Sequence, residues 1–200
     1  MVENFARRAR TTRDRNAFLP YVNGFTTELT ADGGALFASH TNLNGDTVTN
    51  NTTSALSEGT LATGIQTLWE MKSQDGEIDG FVPAVLLVPP ALNKLAYEIT
   101  ESELKSGTGT NDLNWYSLKY GIVVKSSQFL GSAAGGSDTA WYLLSRDHSI
   151  YRFVRQAVQT TLVDWIYQRN NNYIYKGEFR EKVGAMSYEG AYGSTGTVTV

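Results

Sequence analysis

The stretch VLLVPPAL, Val85–Leu92, decides more about this chain than any other. It ends a continuous apolar run, Val82–Val88, bounded by prolines. A strand with one wet face alternates apolar and polar residues, so an unbroken run predicts a strand buried on both faces. Pro90 then stands where a helix accepts its first residue, because the N–H that proline lacks has no intrahelical partner there. Leu92, Leu95, Ala96 and Ile99 follow at helical spacing and predict an amphipathic helix directly behind the strand.

Upstream, Val2–Leu19 reads as a helix: Phe5, Ala6, Ala9, Thr12, Asn16, Ala17 and Leu19 form a narrow stripe of mostly small residues, with no Gly or Pro before Pro20. Asn23-Gly24, Asp32-Gly33-Gly34 and Asn44-Gly45-Asp46 are turn signals. Thr47–Thr53 is polar and β-branched and reads as a surface loop. Ser57 is placed to cap a helix whose face carries Leu61, Ile65, Leu68 and Trp69, closed by Gln74-Asp75-Gly76.

Downstream, Glu101–Asn114 reads as a polar, Gly-containing loop longer than ordinary connections. Strands are expected at Tyr116–Val124 and Ala140–Ser145, separated by a hairpin-like Gly131–Asp138; Ile150–Val158 alternates poorly and reads as strand or helix, with strand preferred. Beyond Asn170-Asn171-Asn172, Tyr173, Tyr175, Gly177 and Phe179 alternate as a strand, with Val183–Tyr188 pairing back on it. Gly190–Val200 reads as a peripheral tail or one pinned by a neighbouring subunit.

The 200 residues suit one domain, with or without a small satellite, and can build a core without covalent staples. The absence of cysteine excludes disulfides, thiolate zinc sites and cysteine nucleophiles. A net charge of -3 makes the whole chain a poor polyanion binder. The longest apolar run is cut by Pro83, Pro89 and Pro90, far short of the roughly 20 residues of a membrane helix, so the chain reads as soluble.

The chemistry-bearing residues are sparse. His40 and His148 are the only histidines, and neither has a partner at metal-ligand spacing. Asp147-His148-Ser149 sets three triad-type residues side by side, but strand neighbours point to opposite faces, and a turn-stabilising role outweighs catalysis. For His40 a structural hydrogen bond outweighs a base. Asn42, Asn44 and Asp46 lack the distal bidentate Glu of a calcium loop and read as an Asx-rich turn. Gly131–Gly136 has no Lys-Ser or Lys-Thr behind it, so it is no phosphate loop.

Arg7, Arg8, Arg10, Arg13 and Arg15 crowd one helix of an otherwise acidic chain. A solvated face is the plain reading. The functional one is a charged contact to adjacent subunits or to packaged nucleic acid, without base reading.

In order, the Arg-rich helix, the DG-x-x-LF-x-x-H stretch at Asp32–His40, VLLVPP at Val85–Pro90, AWYLLSRD at Ala140–Asp147 and the Tyr-rich Tyr173–Tyr192 resemble the major capsid proteins of tailed bacteriophages. The resemblance spans nearly the whole chain, although each motif is short. It implies an α+β fold of that type, with Phe5–Leu19 as the C-terminal half of a spine helix and the N-terminal arm and extended loop not represented. Residues 1–30 would belong to a peripheral domain, 31–165 mainly to an axial domain, and 166–200 to the closing strands and tail.

The implied function is a non-enzymatic shell subunit of the virion, assembled in the bacterial cytoplasm as hexamers and pentamers around double-stranded DNA. A separate arm piece is a further expected partner, and no cofactor is expected. Besides the five arginines, contact candidates are Glu101, Glu103, Lys105, Asn111, Asp112 and Asn114, on the loop that would face the capsomer axis. An encapsulin-like compartment shell is the near alternative. A carbohydrate-binding tail module using Trp115, Trp141 or Trp165 is the alternative from another class. The helix Val2–Leu19 is expected to lie lengthwise on Tyr173–Tyr188.

Overall fold

A computed structural model describes residues 2–102, 121–163 and 175–196. The described elements are α1 (Val2–Val22), β1 (Ser39–Thr41), β2 (Thr47–Thr49), β3 (Asn51–Thr52), α2 (Glu58–Trp69), β4 (Pro83–Val88), α3 (Asn93–Thr100), β5 (Val123–Ser126), β6 (Trp141–Ser145), β7 (Ile150–Leu162), β8 (Tyr175–Ala185) and β9 (Ala191–Ser194). The fold is α+β.

At its centre is a mixed five-stranded sheet of order β3-β9-β6-β4-β5. β4 runs parallel to β5 and antiparallel to β6, and β6 runs antiparallel to β9. The expectation of a strand buried on both faces holds for Pro83–Val88, while Val82, before the strand, is exposed. Leu86 and Val88 enter one core with Trp141, Leu143, Leu61, Ile65, Leu68 and Ala96. Leu87 enters the other with Tyr142, Leu144, Leu36, Phe37 and Tyr21. Alternation along β4 and β6 sends successive side chains to opposite layers, and both layers are apolar. One layer carries α2 and α3; the other takes the end of α1 and the residues after it. Burial there pushes the Tyr21 phenol up to about 12.

The local signals mostly behave as their chemistry dictates. Ser57 caps α2 in a reciprocal box with Thr60, Oγ accepting from Thr60 N at 3.2 Å and Ser57 N donating to Thr60 Oγ1 at 2.8 Å. Pro90 opens a short 3₁₀ turn that leads into α3. Gly33 and Gly76 adopt positive φ at their turns.

Several expectations need correction. Trp69 is 45% exposed, so the buried face of α2 is Leu61, Gly64, Ile65 and Leu68. α1 runs through Pro20 to Val22, although Pro20 cannot donate to Asn16. Its covered stripe includes Phe5, Ala9, Arg13, Asn16 and Ala17, while Ala6, Thr12 and Leu19 are exposed. Thr47–Thr53 is not a plain loop. Thr47–Thr49 pairs with β1, and Asn51–Thr52 joins the edge of the central sheet.

β5 and β6 are not a hairpin, because they flank β4 on opposite sides; the link between them contains a 3₁₀ turn, Ser132–Ala134, ended by left-handed Gly135. Nor do Val183–Tyr188 fold back on the preceding strand. Tyr175–Ala185 is one strand, and its partner is β7, from Ile150↔Ala185 to Leu162↔Tyr175. Most surprising is the tail. Ala191–Ser194 is wholly buried between β3 and β6, and Gly193 lets this happen: a Cβ there would stand 2.7 Å from the Phe37 ring. Of the strand expected at Tyr116–Val124, only its end falls among the described residues.

Candidate subunit-contact surface

The β7–β8 ribbon stands apart from the central sheet, and a two-stranded ribbon is marginal unless something packs on it. Here α1 does. Phe5 lies over Gly177, where a Cβ would come within 2.5 Å of its ring, and Arg13 reaches Glu181. From Phe5 to Arg13 a helix advances about 12 Å. From Gly177 to Glu181 a strand advances about 13 Å. The two elements therefore stay in step, and the helix lies lengthwise on the ribbon as expected.

The pivot of this contact is Glu181, whose side chain is 1% exposed. Its Oε2 accepts from Arg13 Nε at 3.1 Å, Arg152 Nε at 3.1 Å and Arg152 Nη2 at 2.6 Å. One carboxylate thus ties α1, β7 and β8 together. Desolvation works to raise its pKa, but the hydrogen bonds and charges of Arg152 and Arg13 prevail and hold it below the usual carboxylate range. Among the described residues Oε1 is buried without a partner. Glu28 adds a second tie, its Oε1 accepting from Ala185 N at 3.2 Å.

The five arginines divide by role. Arg13 belongs to this buried clamp. Arg15 donates from Nη2 to Ala134 O at 3.3 Å. Arg7 makes a local bond to Asn4 Oδ1, at 3.1 Å, and Arg10 an exposed 3.9 Å pair with Asp14. Arg7, Arg8 and Arg10 form the solvent-facing cationic part of α1. Glu101 is exposed just past the end of α3. Glu103, Lys105, Asn111, Asp112 and Asn114 lie outside the described residues, as do Trp115 and Trp165.

Apolar side chains remain on the ribbon surface. Tyr151, Phe153, Val154, Leu162 and Tyr175 are each about half exposed. Tyr151 and Phe153 touch near one end of the ribbon, with ring centroids 6.3 Å apart, and Leu162 stands opposite Tyr175 at the other; exposed apolar groups of this kind suit a contact surface.

The histidines are structural. His40 is 2% exposed, its Nδ1 2.6 Å from Asp32 Oδ2, its ring stacked on Tyr188 at 4.4 Å. Thr30 Oγ1 donates to the other Asp32 oxygen, which also accepts from Gly34 N at 3.2 Å. These bonds outweigh desolvation and keep the Asp32 carboxyl below its ordinary range. His148 lies in a turn, its Nδ1 accepting from Ile150 N at 3.4 Å. Asn42 Oδ1 accepts from Asn44 N and Asp46 N at 3.1 and 2.8 Å, an Asx turn braced by Lys72 on Asp46. Among the described residues no three His, Asp or Glu are grouped to hold a metal, and no helix is long and apolar enough to cross a membrane. Trp141 is fully buried, its Nε1 donating to Ser54 O at 3.1 Å, and cannot serve as a sugar platform.

Sequence reasoning missed Glu181 and Asn50. Asn50 is fully buried and bridges segments far apart in the chain: Oδ1 accepts from Ala38 N at 3.0 Å, and Nδ2 donates to Leu36 O and Ala191 O at 2.8 and 3.1 Å. Nothing local distinguishes either residue, since each partner comes from a distant element.

No curated protein matches the sequence. A family model described as phage capsid protein matches residues 1–194. That match spans nearly the whole chain, α1, the central sheet and the ribbon alike, and the chain therefore belongs to the phage capsid protein family.

Proposed function

We propose that the chain is the major shell subunit of a tailed phage, acting through repeated contacts between copies around a closed icosahedral shell that encloses DNA. In this reading α1 is the C-terminal half of the spine helix and, with the β7–β8 ribbon, forms the peripheral domain. The central sheet with α2 and α3 is the axial domain, and the segment after Glu101 faces the capsomer axis. Arg7, Arg8 and Arg10 offer phosphate contacts without base reading. Contact with a separate arm piece belongs to the same reading.

The observation that carries it is the lengthwise packing of α1 on a ribbon whose other apolar side chains stay exposed. A face of this kind is costly on an isolated monomer and useful on a subunit whose neighbours cover it. Weak contacts suffice when every copy makes several at once.

Electron microscopy and sedimentation of the purified chain, alone and with an upstream arm segment supplied, test the proposal. Capsomers or closed shells are expected. A chain that stays monomeric at every concentration and with every arm segment refutes it.

A further inference from the structure

Two surface features of opposite character are left unused by the fold. The first is a shallow depression at the base of the ribbon, walled by Leu29, Phe153, Lys182 and Met186. Leu29, Phe153 and Met186 are 57%, 54% and 56% exposed. Its shape is held from behind. Met186 O accepts from Ala31 N at 3.0 Å, Met186 N donates to Ser149 O at 2.9 Å, and Tyr151 leans on Phe153 with ring centroids 6.3 Å apart. Lys182 stands opposite Phe153 in the ribbon register. It makes no ion pair among the described residues, and the nearby Glu28 is already bonded to Ala185 N. The depression is largely apolar, with the Lys182 ammonium on its rim and the Glu28 carboxylate in its wall, held by Ala185 N.

The second feature is a knob. Ile78 is 62% exposed and sits between Glu77 and Asp79, both exposed. It is not on a loose loop. Ser73 N donates to Glu77 O at 2.8 Å, Gly76 N donates to Ser73 O at 2.9 Å, and Lys72 and Ile78 form a β-bridge. Met71 and Phe81, on either side, are buried. Neither Glu77 nor Asp79 makes an ion pair among the described residues. A β-branched aliphatic is therefore presented on a rigid turn between two free carboxylates.

The geometry points to a contact between copies: Ile78 of one subunit enters the Leu29–Phe153–Met186 depression of the next, with Glu77 or Asp79 pairing Lys182. This inference rests on the shell reading above and names one of its interfaces. Knob and depression are different patches, so the contact is head-to-tail, and such contacts close into rings when the rotation between neighbours allows. The carboxylates select orientation and partner, while apolar burial supplies the attraction.

The chain has no cysteine, which makes the test clean. Ile78→Cys and Met186→Cys variants carrying different tags are co-assembled and oxidised. The expected result is a mixed disulfide dimer that neither variant forms alone. In parallel, Lys182→Glu is expected to lose shells, and Lys182→Glu combined with Glu77→Lys and Asp79→Lys to recover them, which a merely structural lysine would not allow. Shells that form without the mixed disulfide, and with Lys182→Glu assembling normally, overturn this contact and leave the shell reading intact. A Met186→Cys thiol that shells protect from maleimide without that disulfide overturns it too, since another segment then covers the depression. Failure of the unmodified chain to assemble at any concentration and with every arm segment overturns both.

Discussion

Replacing Glu181 by Ala should unclasp α1 from the ribbon, and the size of the effect can be worked out from the contacts. Three charge-assisted hydrogen bonds are lost, each contributing about 1.5–3 kcal/mol. Arg13 and Arg152 have side chains 30% and 35% exposed, so water takes over part of their donors and the lower end applies. Against this, Oε1 is buried with no partner among the described residues, and removing it relieves a cost of about 1–3 kcal/mol. The net loss should be about 2–3 kcal/mol. A double-mutant cycle isolates the pair: Arg13→Ala and Glu181→Ala should couple by about 1–1.5 kcal/mol. The Arg10–Asp14 pair, 3.9 Å apart with side chains 84% and 52% exposed, is the internal control and should couple by about 0–0.5 kcal/mol. Urea unfolding of the unassembled subunit at constant m-value reads both. Raising salt to about 1 M should erase the exposed coupling and spare most of the buried one. Equal coupling for the two pairs, or a clamp value under about 0.5 kcal/mol, would refute the assignment of Glu181 as the pivot.

Two further outcomes follow from the interior. Asp32→Asn should cost about 1–2 kcal/mol near neutral pH, because the carboxylate loses charge on its bonds from Thr30, Gly34 and His40. The folded carboxyl sits below its ordinary value, so its contribution is complete above the unfolded pKa of about 3.9 and fades as pH falls through the folded one; the gap between the two proteins should therefore narrow in acid, and a gap that widens below about pH 4 refutes the sign. Gly193→Val should destabilise by about 1–3 kcal/mol by driving into the Phe37 ring. Adding Phe37→Ala should recover part of the Gly193→Val cost, and strict additivity in thermal unfolding would refute the clash.

Legibility tracked the range of the interaction that settles each element. Val82–Val88, the Ser57 cap and the Gly76 turn were readable because their physics is contained within a few residues. Strand partnership was not: the Gly-rich Gly131–Asp138 looks like a hairpin link, yet β4 sits between the strands it joins. Ala191–Ser194 looks like tail, because Gly, Ser and Ala carry little apolar signal, and they pass through the core where Phe37 leaves no room for more. Among the contact candidates, the crowding of arginines was visible, but only packing separated Arg13, held by Glu181, from Arg7, Arg8 and Arg10, left to solvent.

By itself, the sequence determined the α+β class, the doubly buried strand, the helix caps and turns, and the likeness to phage capsid proteins. The first three depend on periodicity, backbone sterics and composition, which act locally, whereas the likeness rests on the order of short motifs along the chain. The tertiary structure alone decided the strand order, the helix-on-ribbon clamp at Glu181, the staple at Asn50, and which apolar side chains stay exposed for neighbours to cover. Each of these joins residues far apart in the chain, and the energy of such a contact is set by what packing brings beside it, which no local pattern encodes.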